Sequence, residues 1–244
     1  RGFSSTLLCN LKWRVAVVTG GSRGIGRRIC RTLAEKGASV VVCYQRDSAA
    51  ASEVVSLICQ HSGSASSAVA VQGDASAPPD VSRFFDAAVS ASVIIENTPL
   101  EDRQRIMDVN ATGTFLVCQE AAKRVTVGGH GRIITFSSIF AQGVRAGYGA
   151  YIASKAAVEA LTKVLAKELR GRRITVNCVS PGAVATDMLY AGRSEASLEE
   201  LRVAPVLERL GRTEDIAPLV SFLASDEGEW VNGQVIRIDG GTVI

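Results

Sequence analysis

The chain contains 244 residues, of which 47% are apolar and 21% are charged, and its formal net charge is +3. A chain of this length can form one large α/β domain with its own hydrophobic core. The charge is too small to indicate a nucleic-acid or membrane-surface partner, and no apolar run is long enough to cross a bilayer. The six cysteines and two histidines show no C-x-x-C pair and no metal-ligand spacing, so we expect no metal site.

The N-terminal extension, residues 1–12, contains arginine, serine, threonine and leucine but no acidic residue. Two interpretations stay open, the remnant of an organellar transit sequence and a plain frayed terminus. We therefore expect a cytoplasmic protein, or a protein of a plastid or other organelle if the extension is a transit remnant.

Strand-like apolar runs alternate with helical patterns along the whole chain. The predicted strands are Val15–Thr19, Ser39–Tyr44, Ala68–Gln72, Arg132–Ser137, Ile174–Ser180 and Gln234–Asp239. The main predicted helices are Ser48–His61, Asp102–Arg124, Tyr151–Arg170 and Thr213–Ala224. Continuous Val/Ile runs indicate strands buried on both faces. The alternation predicts an α/β fold with a doubly wound parallel sheet and, without repeat or linker, a single domain over residues 1–244.

A glycine-rich segment, Thr19-Gly-Gly-Ser-Arg-Gly-Ile-Gly26, joins the first predicted strand to the first predicted helix. Glycines let the backbone approach a pyrophosphate, and the helix N-terminus offers free N–H groups and a partial positive charge. Such a loop alone is weak, but its place between a strand and an amphipathic helix predicts a Rossmann-type dinucleotide site. The residues expected to bind the cofactor here are Gly20, Ser22, Arg23, Gly24, Ile25 and Gly26.

The end of the second predicted strand indicates which dinucleotide binds. NAD-binding proteins usually place an acid there for the ribose 2′-hydroxyl, whereas this chain has Tyr44-Gln45-Arg46. Arg46 and Arg23 would supply two guanidiniums for a 2′-phosphate, with Tyr44 beside them. NADP(H) is therefore favoured, although Asp47 follows directly and leaves NAD open.

Tyr151 and Lys155 lie one turn apart on one face of a predicted helix. A neighbouring ammonium stabilises a phenolate, so this pair suits proton transfer to a carbonyl oxygen. A tyrosine and a lysine at this spacing are common on helix surfaces, so the pair alone is a weak indication of catalysis. Two further features strengthen it. The Ser137-Ser138 pair closes the preceding strand, and Asn110 lies within a predicted helix, where asparagine is unfavourable and indicates a kink or a bound water.

With Asp74 after the third strand, Pro181-Gly182 and the ending Asp239-Gly-Gly241, these motifs resemble those of the short-chain dehydrogenase/reductase family from about Lys12 onward. Within that family the chain is most similar to aldehyde-reductase-like and 3-oxoacyl-carrier-reductase-like enzymes. The resemblance implies an NADP(H)-dependent oxidoreductase that reduces an aldehyde or ketone, or oxidises the alcohol, by hydride transfer. It also implies a homodimer or homotetramer formed through the helices Asp102–Arg124 and Tyr151–Arg170.

The resemblance implies a role for each catalytic residue. Tyr151 would be the acid–base, Lys155 would favour its deprotonated form and bind the nicotinamide ribose, and Ser138 would orient the carbonyl. Asn110 would hold a water in a proton relay through Lys155.

Further positions would surround the cofactor and the substrate. Asp74 and Ala75 would contact adenine, and the residues that would border the nicotinamide are Pro181, Gly182, Val184 and Thr186. Residues 186–209 would form the substrate lid, as an amphipathic helix over an apolar pocket.

One departure from the family pattern is large, because Ala88 to Glu101 lacks the Asn-Asn-Ala-Gly-type motif that ends the family's fourth strand. Ser92–Ile95 resembles the start of that strand, joined directly to a later loop. Either a piece of the protein is missing from the sequence, the explanation that we favour, or this is a deletion variant that has lost buried backbone pairing. A Cα–Cα step much longer than about 3.8 Å between Val89 and Asn97 would indicate omitted residues.

Three functions compete at this point. The first is an NADPH-dependent carbonyl reductase, the second a 3-oxoacyl-carrier-protein reductase, and the third a non-catalytic relative that binds a nucleotide or a partner protein. Only the missing motif supports the third.

Overall fold

The computed structural model describes residues 10–12, 14–61, 68–73, 94–125, 128, 130–191 and 193–244. The chain divides into two compact units, one of Arg1–Asp74 with Thr213–Val231 and one of Ala75–Arg212 with Asn232–Ile244. No described helix is long and apolar enough to cross a membrane.

The first unit contains a parallel three-stranded sheet in the order β1-β2-β3, with three helices. Its elements are β1 (Val15–Val18), α1 (Gly24–Glu35), β2 (Ser39–Tyr44), α2 (Ser48–His61), β3 (Ala68–Gln72) and α9 (Thr213–Ala224). β2 lies between the other strands, with Val15 opposite Ser39 and Val40 opposite Ala68. α1 packs against α9 and α2.

The second unit contains another parallel three-stranded sheet, in the order β4-β5-β6. Its strands are β4 (Arg132–Phe136), β5 (Thr175–Pro181) and β6 (Val235–Ile238). Its helices are α3 (Leu100–Met107), α4 (Gly113–Arg124), α5 (Phe140–Gly143), α6 (Gly149–Glu168), α7 (Asp187–Tyr190) and α8 (Glu195–Val203). α6 packs on β5 and β4 and contacts α3 and α4.

The parallel strands with helical crossovers confirm the predicted α/β class. β2, β3, α2 and α9 have the predicted bounds, and the other predicted strands differ by one residue, β1 and β4 at one end and β5 and β6 at both ends. The grouping of residues 1–244 as a single domain stays a prediction.

Two strand predictions are corrected by the structure. Every residue of β5 is buried, as expected, but Val15 and Val17 of β1 are 69% and 66% exposed. The predicted strand start Ser92–Ile95 is also wrong where it is described, because a 3-10 turn occupies Ile95–Asn97 and α3 begins three residues later at Leu100.

An arginine side chain closes the C-terminal end of α4. Arg172 donates from Nη1 to the carbonyl oxygen of Ala122 at 2.6 Å and from Nη2 to that of Val125 at 3.0 Å. Helix C-termini leave carbonyl groups without intrahelical partners and carry a partial negative charge. Arg172 thereby ties the loop after α6 to the end of α4.

We expect Arg172→Met to lower the free energy of unfolding by about 1.5–3 kcal/mol, because two charge-assisted hydrogen bonds are lost. The control is Arg170→Met, since the exposed Arg170 side chain makes no hydrogen bond with any described residue. Arg170→Met should stay within about 0.5 kcal/mol of the unaltered protein. Urea denaturation measures both, and equal losses in the two variants would contradict this account of α4.

Candidate active site

The turn between β1 and α1 is shaped by glycines at close backbone contacts. Gly20 and Gly24 adopt φ angles of 64° and 53°, in the region that favours glycine. A Cβ atom on Gly26 would lie 2.2 Å from the carbonyl oxygen of Gly20. Gly21 donates to the carbonyl oxygen of Cys43 at 3.0 Å, which fixes the turn against the end of β2. The turn therefore has the close approach that a backbone cradle for phosphate needs.

The N-terminus of α1 follows this turn directly. Its first intrahelical hydrogen bond runs from the amide of Arg27 to the carbonyl oxygen of Arg23, and the Arg23 side chain makes no cap. Among the described residues no partner is recorded for the amides of Gly24, Ile25 and Gly26. These N–H groups and the helix dipole suit an anion.

Three side chains near the ends of the loop and of β2 carry charge. Arg23 and Arg46 are exposed, and neither guanidinium has an ion pair or hydrogen bond within the described part of the chain. Asp47 accepts at Oδ1 from the amide of Ala50 at 2.9 Å, so its carboxylate caps α2. Tyr44 is half-buried, and its carbonyl oxygen accepts from the amide of Gly73. Asp74 and Ala75 lie outside the described residues.

Asn110 lies in a π-helical turn, Asp108–Thr112, that interrupts the helix predicted over Asp102–Arg124. It is only 7% exposed, and its Nδ2 donates to Oγ of Ser154 at 3.0 Å. Ser154 in turn donates to the carbonyl oxygen of Tyr151 at 2.7 Å. The predicted departure from helical geometry is confirmed, and the π turn brings Asn110 against the first turns of α6.

Lys155 follows Tyr151 by one turn of α6. Its Nζ donates to the carbonyl oxygen of Phe136 at 3.2 Å and lies 5.8 Å from the centroid of the Tyr151 ring. An ammonium has three protons, so this bond anchors Lys155 at the end of β4 and leaves donors for another group.

The two adjacent serines at the end of β4 have different hydrogen-bond partners in the structure. Ser137 is 5% exposed, and its Oγ bonds to Oε1 of Glu159 at 2.8 Å and to the carbonyl oxygen of Lys155 at 3.2 Å. Ser138 is half-buried, and its Oγ accepts only a long 3.4 Å bond from the amide of Phe140 among the described residues. Ser138 is thus the serine whose hydroxyl is open to a substrate oxygen.

The segment after β5 contains the predicted nicotinamide border. The carbonyl oxygen of Pro181 accepts from the amide of Ile139, and a Cβ atom on Gly182 would lie 3.0 Å from Asp239. Val184 is buried, and the Thr186 hydroxyl donates to its carbonyl oxygen at 3.3 Å. Thr186 also accepts from the amide of Leu189, which makes it the N-cap of α7.

The predicted lid, residues 186–209, is two helices instead of one. Ser194 caps α8 by accepting from the amide of Ser197, so α7 and α8 are separate. Leu198 and Leu201 are the buried apolar residues of α8, and the more exposed ones of the segment are Met188, Tyr190, Val203, Val206 and Leu207. An ion pair between Arg145 and Glu200 at 2.9 Å joins α8 to the loop before α6.

Two side chains of this site escaped the sequence analysis. Ser154 links Asn110 to Tyr151, and Glu159 binds Ser137. Glu159 follows Lys155 by four residues, as Lys155 follows Tyr151, so helical spacing alone places Glu159 on the same face of the helix. The described residues contain no group of three or more potential metal ligands. Burial raises the pKa of Cys30 to about 12 and that of Cys118 to about 11, so these thiols are neutral core groups.

Comparisons with known proteins agree with the motifs. A family model described as Enoyl-(Acyl carrier protein) reductase matches residues 20–95 and 87–243. A short-chain type dehydrogenase/reductase of Picea abies is 49% identical over 250 residues, covering 94% of this chain and 92% of that protein. NADPH-dependent aldehyde reductase 2, chloroplastic, of Arabidopsis thaliana is 45% identical, covering 99% of this chain and 97% of that protein. A short-chain dehydrogenase from Burkholderia cenocepacia, solved in complex with NADP, is 33% identical with a TM-score of 0.82, covering 96% of this chain and 99% of that one.

The comparisons also bear on the missing fourth-strand motif. The alignment with the Arabidopsis protein runs over 266 residues, more than the 244 of this chain, so this chain has no residue at some positions. The family-model match is divided into two segments that overlap at residues 87–95. The sequence runs through this region without those positions, and the choice between an omitted piece and a deletion variant stays a prediction. Residues 89–93 of the proposed Cα–Cα comparison lie outside the described residues.

The fold of the solved relative confirms the Rossmann-type arrangement predicted from the alternating strands and helices. With a family model matching most of the chain and a relative 49% identical, the chain belongs to the short-chain dehydrogenase/reductase family.

Proposed function

We propose that this chain reduces an aldehyde or ketone to an alcohol with NADPH, or catalyses the reverse reaction, with Tyr151 as the acid–base. As a family member the chain is an NADP(H)-dependent oxidoreductase acting on C=O or CH–OH groups, which is what its relatives' names state. The observation that supports the finer proposal is the arrangement around α6, where Tyr151, Lys155 and the Asn110–Ser154 link meet the end of β4.

The residues of the first unit fit the phosphates of NADP(H). The turn at Gly26 leaves no room for a Cβ atom. The first backbone N–H groups of α1 have no partner among the described residues and can bind an anion. Asp47 is occupied as the α2 cap, whereas Arg23 and Arg46 have no bound partner in the described structure. Two guanidiniums beside an engaged carboxylate favour a ribose 2′-phosphate over a free 2′-hydroxyl. We propose Gly20, Ser22 and Ile25 of the loop, with Tyr44, as further cofactor contacts, and Asp74 and Ala75 as adenine contacts.

When bound, NADPH would supply a hydride for the carbonyl carbon and would itself be oxidised to NADP⁺. The protein then has to deliver one proton to the carbonyl oxygen, so that the alcohol forms. Tyr151 would donate this proton from its hydroxyl, and Ser138 would hold the same oxygen by a hydrogen bond from its Oγ. Lys155 would stabilise the phenolate that remains and bind the nicotinamide ribose.

The remaining residues position these groups. Asn110, fixed by Ser154, would hold a water in a proton relay that runs through Lys155. Pro181, Gly182, Val184 and Thr186 would border the nicotinamide, and the 186–209 segment would cover the substrate.

The quaternary structure and location are proposals as well. Exposed apolar side chains lie on the two predicted contact helices, Phe115 and Leu116 on α4 and Val164 on α6. They support assembly into a homodimer or homotetramer through these helices. The name of the Arabidopsis relative, which says chloroplastic, supports a plastid location over the cytoplasm.

A second candidate, a relative that binds nucleotide without catalysis, is favoured by two observations. The chain lacks positions near residues 87–95, and β1 has an exposed valine face. Turnover of aldehydes or ketones, followed through the absorbance of NADPH, separates the two functions.

We expect Tyr151→Phe to lower kcat by at least about 100-fold, because general acid catalysis is worth about 10²–10⁴-fold. The matched hydroxyl deletion is Tyr148→Phe, three residues earlier, where the phenyl ring retains the stacking on Phe140. This control should keep activity close to that of the unaltered protein. Loss of NADPH absorbance with a panel of carbonyls measures both, and an active Tyr151→Phe protein would refute the assignment.

The pair Arg23→Ser and Arg46→Ser should raise the KM for NADPH by at least about tenfold and leave the KM for NADH nearly unchanged. Each charge-assisted hydrogen bond contributes about 1.5–3 kcal/mol, and about 1.4 kcal/mol corresponds to tenfold. Arg31→Ser removes the same charge elsewhere on α1 and should change neither constant. A parallel rise for NADH in the double variant would contradict a 2′-phosphate contact.

Gly26→Ala should raise the Kd of NADPH by at least about tenfold, because the added Cβ forces the Gly20 carbonyl out of the cradle. Gly73→Ala is the matched control, since a Cβ atom there meets nothing within 4 Å. Titration by NADPH fluorescence gives both constants. Unchanged affinity in Gly26→Ala would show that the cofactor phosphates bind elsewhere.

A further inference from the structure

Ser137 is the side chain that ties the end of β4 to α6. Its hydroxyl is nearly buried and bonds to Oε1 of Glu159 at 2.8 Å and to the carbonyl oxygen of Lys155 at 3.2 Å. A serine hydroxyl has a single proton, and the carboxylate is both the nearer and the stronger acceptor. The bond to Glu159 is therefore the main one.

The carboxylate of Glu159 is held by two side chains, Ser137 and Gln142. Besides Ser137, Nε2 of Gln142 lies 3.5 Å from each of its oxygens. Lys155, one turn earlier on the same helix, makes no ion pair with it in the described structure and bonds to Phe136 instead.

On the other side, the backbone around Ser138 is held by β5. The amide of Ser137 donates to the carbonyl oxygen of Val179 at 2.9 Å, and that of Ile139 donates to Pro181 at 3.2 Å. On the α6 side the corresponding links are the Ser137 hydroxyl and the Lys155–Phe136 bond. The distance of Ser138 from Tyr151 thus depends on both links, because Tyr151 belongs to α6, and the Ser137–Glu159 bond is the link next to Ser138 in the chain.

We propose that Glu159 is a positioning residue, which sets Ser138 against Tyr151 by holding the Ser137 hydroxyl. This inference rests on the proposed function, in which Ser138 and Tyr151 bind one carbonyl oxygen. Glu159 touches neither substrate nor cofactor in this scheme. A misplacement of about 1 Å costs about 100-fold when two groups must meet one atom, so a remote carboxylate can govern kcat.

Glu159→Ala should lower kcat by at least about tenfold and leave the KM for NADPH unchanged. Glu159→Gln keeps a side-chain oxygen where Ser137 donates, so it should recover most of the lost kcat. Ser137→Ala should resemble Glu159→Ala, and the double alanine variant should be no worse than either single one, because one bond is removed in all three. Glu168→Ala, an exposed glutamate on the same helix, is the matched control and should retain full activity.

Amide hydrogen exchange over residues 137–139 gives a readout that needs no turnover. Exchange should accelerate in Glu159→Ala and Ser137→Ala and stay slow in Glu159→Gln and Glu168→Ala. If the glutamine variant loses as much kcat as the alanine variant, or if the two alanine changes add, the positioning role is overturned. If the unaltered protein reduces no carbonyl, the proposed function fails, and exchange alone decides whether Glu159 holds Ser137. Equal exchange in all variants would then overturn the inference.

Discussion

The parallel pairing of β4 with β5 is the constraint on which the proposed catalytic side chains depend. In a parallel ladder both carboxyl ends reach the same edge of the sheet, and ligands of α/β proteins bind beyond that edge. The ladder continues past the strands, since the amides of Ser137 and Ile139 donate to Val179 and Pro181. Because α6 packs back on these strands, Lys155 reaches the carbonyl oxygen of Phe136 at the same edge. Backbone geometry thereby brings Ser138, which follows β4, and Lys155 of α6 to the same edge of the sheet.

Much of this arrangement follows from the sequence, for an identifiable reason. Continuous runs such as Ser39–Tyr44 have strong β preference and clear glycine or polar boundaries, so strand type and bounds are determined locally. Helical spacing alone predicts that Tyr151 and Lys155 lie on the same face of one helix. The sequence does not reveal which residues meet in the tertiary structure. Nothing local says that Ser137 binds Glu159, or that the departure from helical geometry indicated by Asn110 takes the form of a π turn.

The lid shows how one missed cap changes an interpretation. The composition of residues 186–209 fits an amphipathic helix, but Thr186 and Ser194 each accept a backbone N–H and start a helix of their own. Asp47 shows the same principle for charge. Its position beside Arg46 leaves NAD open on sequence grounds, whereas its bond to the amide of Ala50 removes the carboxylate from competition. In both cases the decisive fact is which polar group is already bonded.

The first unit gains little stability from two valines of β1. Burying a valine side chain contributes about 1.5–3 kcal/mol, and Val15 and Val17 obtain little of this because they are largely exposed. The proposed phosphate cradle begins where β1 ends, so a cofactor bound there stabilises the same strand. A ligand at about 100 times its Kd adds about 2.7 kcal/mol to the folded state. That gain is comparable to the burial of one valine, and the folded population of this unit therefore rises with saturation by the cofactor.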